Sequence, residues 1–148
     1  MKIPVLVHSD IFLTDNPGLI KTLRAKAEAG AKIRIPLGDP ASREVTRRSE
    51  EEGIGRGTLA VKVRNALAFF KPLADTGHAE IRCHRTTLHN STHRFDDEML
   101  ANAHVHVHGF MAAHAPVLHL RRLSRGDLVE TYAESFQGVW DDAKPPKW

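Results

Sequence analysis

Apolar positions change their period several times along the chain, and the changes mark an alternation of strands and helices. Ile3 to Val7 is a β-rich apolar run ending at His8-Ser9-Asp10, the pattern of a buried strand with a polar C-terminal end. Asn16-Pro17 opens a helix, with Asn16 as N-cap and Pro17 at the first helical position. Leu19, Ile20, Leu23, Ala27 and Ala31 recur at helical spacing, Lys21, Arg24, Lys26 and Glu28 face water, and Gly30 ends the helix. Lys32 to Leu37 alternates as the next strand, with Gly38-Asp39-Pro40 as its turn. Strand, helix and strand joined by short connections predict a right-handed βαβ unit with parallel strands.

Ser42 to Glu52 is highly charged and reads as a solvated helix with a serine cap. Gly53 to Gly57 breaks it; the loop does not follow a strand, as a dinucleotide cradle would, and reads as a helix–helix connection. Thr58 to Leu73 forms an amphipathic helix with Leu59, Val63, Ala66, Leu67 and Phe70 on one face and Pro72 at its end. Ala79 to Cys83 is strand-like, and Leu88 to Val107 predicts two strands joined by a tight turn at Asp96-Asp97. Pro116 to Leu123 is another strand. Asp127 caps a last helix that runs to Trp140, with Leu128, Tyr132, Phe136 and Trp140 along one side. The expected fold is α/β, a mixed β-sheet flanked by helices, in one domain over residues 1–140 with a C-terminal tail over 141–148.

At 148 residues the chain can enclose one core. With 41% hydrophobic and 26% charged residues it falls outside the disordered class. A formal charge of +3 permits a phosphate-bearing partner, but the basic residues are scattered and nucleic acid is not indicated. The single cysteine, Cys83, can form neither an internal disulfide nor a cysteine-based zinc site, and it reads as a small buried hydrophobe. No apolar run reaches the roughly 18 residues of a membrane helix, and the N-terminus turns polar too soon for a signal peptide. The expectation is a cytoplasmic protein.

Chemistry concentrates between His84 and His108, which hold six of the ten histidines together with Asp96, Asp97, Glu98, Arg85 and Arg94. His104, His106 and His108 alternate, so on a strand they share one face. Two of them can converge on zinc or another divalent metal, with His114, His119 or an acid as a further ligand; the other reading is a histidine-rich polar face that holds no cofactor. Arg85 and Arg94 either clamp an anion or pair with Asp96 and Asp97. His8 either points into the ligand crevice of an open sheet or is a capping or surface residue. Asp97 and Glu98 are either a solvated turn or acid–base partners.

His89, Ser91 and Asp96 form a His-x-Ser-x-x-x-x-Asp pattern. It resembles the phospholipase D superfamily, whose signature is His-x-Lys-x-x-x-x-Asp. The opening VLVHSDIFLTDNPGLIKTLRAKAEAGAKIRIPLGDP resembles that family's first strand, helix and second strand, and TYAESFQGVWDDA its closing helix. The chain is most similar to uncharacterised domains that follow helix-turn-helix modules in bacterial regulators; these residues contain no such module. The resemblance implies a single phospholipase D-like half with His89 as nucleophile, supported by Ser91, Arg94 and Asp96. His8, Arg85, Asn102 and His104 would contact the ligand. Two departures stand out: Ser91 replaces the lysine that holds the phosphate, and Ala103-His104 replaces a Gly-Ser pair.

One copy of the motif cannot complete such a site, so an active form would be a homodimer about a two-fold axis. The loss of the lysine gives the leading expectation: a catalytically degenerate domain that binds a small anionic ligand in a regulatory or sensing role. The alternatives are a homodimeric phosphodiesterase or phosphotransferase acting through a histidine nucleophile, and a histidine-ligated metalloprotein.

Overall fold

The computed structural model describes residues 2–6, 16, 18–88, 90–103 and 116–148. Pro17, His8, His89, His104, His106, His108 and His114 lie outside the described residues. The fold is mixed α/β. Six strands form one sheet in the order β3-β2-β1-β4-β5-β6. They are β1 (Lys2–Leu6), β2 (Lys32–Gly38), β3 (Glu80–His84), β4 (Asn90–Phe95), β5 (Glu98–Ala103) and β6 (Val117–Arg121). Four helices are described: α1 (Leu19–Glu28), α2 (Arg43–Glu51), α3 (Thr58–Asp75) and α4 (Leu128–Asp142).

β1, β2 and β3 run parallel, whereas β4, β5 and β6 are antiparallel to their neighbours. The β1–β2 ladder runs from Lys2↔Lys32 to Pro4↔Arg34, while β2–β3 continues to Gly38↔His84. Pro36 lies just past that break and has no N–H to give a ladder. β1 there takes β4 as partner through Val5↔His93 and Leu6↔Thr92. β4 and β5 meet at Asp96-Asp97, as the alternation predicts, with Asp96 in left-handed backbone (φ 54°), a conformation that aspartate tolerates in short hairpin loops.

Alternation gives the sheet two faces. Ile33, Ile35, Leu37 and Ile81 point to one, where they pack with Leu23 of α1 and Val63, Leu67, Phe70 and Leu73 of α3. Fully burying side chains of this size contributes about 1.5–3 kcal/mol each before chain entropy is counted. Arg34 and Arg82 point to the other face. Their guanidiniums lie 5.5 and 4.3 Å from the centroid of the Trp140 ring on α4. Phe136 stacks on Trp140 and joins Leu88 and Val139 in a second cluster.

Several boundaries and faces differ from the sequence expectation. α1 begins at Leu19 behind a turn in which Asn16 Oδ1 accepts the Gly18 N–H at 3.0 Å. α2 is capped by Ser42 but is not a solvated helix: Val45, Arg48 and Ser49 are buried. Arg48 Nε donates to Glu52 Oε1 at 2.9 Å, so two opposite charges enter the interior together. The Ser49 hydroxyl accepts the Leu59 N–H at 3.1 Å and donates to the Gly55 carbonyl, which ties the glycine loop to both helices. α3 continues through Pro72 to Asp75. On α4, Leu128 is exposed and Val129, Phe136, Val139 and Trp140 are the buried residues, because four-residue spacing drifts around a helix of 3.6 residues per turn. Beyond α4, Lys144 exchanges backbone hydrogen bonds with Cys83 at 2.7 and 2.9 Å, stitching the tail to the open edge of β3.

Candidate functional site

Three parallel strands and the turn after β2 converge at one end of the sheet. β1, β2 and β3 all finish there, and because β4 is antiparallel to β1, its beginning at Asn90 and Ser91 lies at the same end. β5 finishes there too, with Asn102 opposite Ser91. Open α/β sheets bind ligands at the C-terminal ends of their parallel strands, where strand order changes direction.

A cleft of about 640 Å³ opens beside the ends of β2 and β3. Asp39, Pro40 and Ala41 line it from the turn after β2, Cys83, Arg85 and Thr86 from β3 and its end, Arg64 and Leu67 from α3, and Asp142, Lys144, Pro145 and Lys147 from the tail. Four cationic side chains thus face two carboxylates. Arg85 Nε donates to Asp39 Oδ2 at 2.8 Å. Partial burial pushes the Asp39 carboxyl up, but the hydrogen bond from the Ala41 N–H and the Arg85 guanidinium outweigh it and hold the carboxyl below its ordinary value. Asp39 is therefore a fixed anion at neutral pH that orients Arg85. Lys147 adds a second positive charge near Asp39, whereas Arg64 and Lys144 form no ion pair within 4 Å among the described residues. Burial first, and then the Asp39 carboxylate, push the Cys83 thiol up to about 11. The thiol is thus held in its neutral form in the wall of the cleft.

The residues singled out in the sequence divide into three places. Arg85 lines the cleft, paired with Asp39 instead of Asp96 or Asp97. Ser91 and Asn102 stand side by side at the same end of the sheet, across β2 and β1, roughly 14 Å away at three strand spacings. Arg94 is three positions after Ser91 on one strand and so projects from the opposite face. Within one chain, Ser91 and Arg94 therefore face away from each other. Arg94 Nε donates instead to the backbone carbonyl of Asp96 at 2.6 Å. Asp96 sits in the exposed turn at the far end of β4, about 16 Å along the strand from Ser91. Ser91, Arg94 and Asp96 therefore do not meet within one chain; His89, His8 and His104 lie outside the described residues.

His119 is exposed on β6, with Nε2 3.5 Å from Glu98 Oε2. Among the described residues no group of three or more histidines, cysteines or acids is arranged to hold a metal ion. Asp39, Arg64 and Lys147 had no sequence signal marking them. Asp39 reads as an ordinary turn aspartate, and only folding brings it to Arg85, 46 positions away.

A family model described as a domain of unknown function, DUF5919, matches residues 11–147, and the chain belongs to that family. No curated protein and no solved structure matches the chain. Among the described residues, no helix is long and apolar enough to cross a membrane.

Proposed function

We propose that this DUF5919 domain binds a small phosphate-bearing anion at the C-terminal end of its parallel strands, in a regulatory or sensing role. On this reading it is a phospholipase D-like half whose catalytic set has decayed. The observation that carries the proposal is the lining of the 640 Å³ cleft, where Arg64, Arg85, Lys144 and Lys147 outnumber Asp39 and Asp142. Arginine gives a planar fork matched to phosphate oxygens and lysine a mobile point charge. Arg85 is already oriented by Asp39, so less freedom is lost when an anion docks.

The degenerate character rests on Ser91. A neutral hydroxyl stands where the resembled family carries a lysine, and a phosphoryl transition state needs positive charge at that point. Arg94 projects away from it. The test is isothermal titration of the protein with inorganic phosphate and nucleoside monophosphates, paired with a chromogenic phosphodiester assay. Saturable binding without turnover is the expected result. Robust turnover that His89→Ala abolishes would overturn the degenerate reading, and absence of binding would overturn the ligand.

A further inference from the structure

We propose a second anion site on the opposite face of the sheet, under α4, for a phosphate-sized oxyanion carried free or on a small monoester. Lys32 and Arg34 are two positions apart on β2 and share the face that α4 covers. Arg94 reaches the same groove from β4, with β1 between the two strands. The three cations line a cavity of about 180 Å³, where the other described lining residues are Thr92, Met99 and Ala133, Phe136 and Gln137 of α4. That volume suits one small oxyanion with a few waters.

Among the described residues no carboxylate lines this cavity, and none of the three cations has an ion pair. The wider cleft at the strand ends differs, since Asp39 there already compensates Arg85. Arg34 and Arg94 are half-buried, so water screens their repulsion less than it would on an open surface. Each guanidinium is also anchored, Arg34 over the Trp140 ring and Arg94 on the Asp96 carbonyl. An anchored guanidinium retains further N–H donors for a ligand. The buried Thr92 hydroxyl and the Gln137 amide, whose Nε2 also donates to Asp141 Oδ1 at 2.7 Å, supply neutral polar groups. An anion would satisfy the cations together and relieve their repulsion. The site uses none of the residues proposed to bind at the strand ends, so either site can fail without the other.

The test is a phosphate titration at constant ionic strength, followed by two-dimensional NMR of the nitrogen-labelled protein. Saturable movement of the Thr92 and Met99 amides and of the Gln137 side-chain amide is expected. The double variant Arg34→Gln/Arg94→Gln should weaken that response about tenfold or more, since charge-assisted hydrogen bonds are lost. Arg64→Gln/Arg85→Gln should leave it unchanged. Arg34→Lys keeps the charge and should retain most of the affinity. Should loss of the Trp140 contact unfold the double variant, Lys32→Gln on the exposed start of β2 is the substitute and should weaken binding severalfold. Glycerol phosphate forms a second arm: tighter binding than phosphate assigns the Phe136 and Met99 wall to the organic part, and equal binding assigns the site to the free oxyanion. Shifts that rise linearly and equally with chloride, or that survive Arg34→Gln/Arg94→Gln undiminished, would overturn the proposal.

Discussion

Replacing Arg85 with glutamine separates a binding role from a structural one. The Arg85–Asp39 pair is short, at 2.8 Å, but the arginine side chain is 69% exposed. Exposed pairs of this kind contribute at most about 1 kcal/mol to folding, so the urea midpoint should barely move. Binding should respond far more. Loss of a charge-assisted hydrogen bond to an anion costs about 1.5 kcal/mol or more. The substitution also removes the nearest positive charge from Asp39, which keeps the Ala41 N–H and the Lys147 charge. At roughly 6 Å from a bound anion, the repulsion from Asp39 is about 0.7–3 kcal/mol for effective dielectric constants between roughly 80 and 20. Together these weaken phosphate binding by about fortyfold to a thousandfold. Adding Asp39→Asn removes the repulsive part, so the double variant should recover to within about tenfold of the original protein. Isothermal titration at two salt concentrations reads both quantities. An unchanged Kd in Arg85→Gln, or a double variant no better than the single one, would refute the reasoning.

Three further outcomes test other parts of the account. Arg48→Met strands Glu52 without its buried cation and should cost about 3–5 kcal/mol by chemical denaturation, whereas Arg48→Met/Glu52→Leu should recover most of it; equal losses would contradict a coupled pair. The carboxyls of Asp39 and Asp127 are both held below the ordinary aspartate range in the folded chain, that of Asp127 by backbone N–H donors led by Glu130. The stability they contribute is therefore present above that range and lost as pH falls through their lower folded values. Urea midpoints measured on descending pH should decline in that acid window, and Asp39→Asn should flatten the decline. Cys83, with its thiol pushed up to about 11, should react slowly with iodoacetamide at mildly alkaline pH while folded and much faster in denaturant. Equal rates would contradict its place in the wall of the cleft.

Elements whose apolar residues face one continuous core were legible in the chain. Lys32 to Leu37 and Thr58 to Phe70 were readable because a period of two or 3.6 determines which side chains enter the core, and the tight turn at Asp96-Asp97 marked the hairpin. α2 was not, because its burial depends on Arg48 and Glu52 neutralising each other, and a charged i,i+4 pair looks the same on a solvated face. The motif residues were legible as a string but not as an arrangement. Alternation puts Ser91 and Arg94 on opposite faces, and strand rise carries Asp96 to the other end of the sheet. The cleft gathers residues from turn, helix, strand end and tail, and no local pattern encodes such a meeting.

The central claim, binding without turnover, is tested most directly by phosphorus NMR of a phosphodiester and a phosphate monoester mixed with the protein. The monoester resonance should shift saturably, Arg64→Gln/Arg85→Gln should weaken this shift, and the diester signal should keep its intensity over time. A growing product resonance that His89→Ala removes, or a monoester resonance that never moves, would contradict the claim.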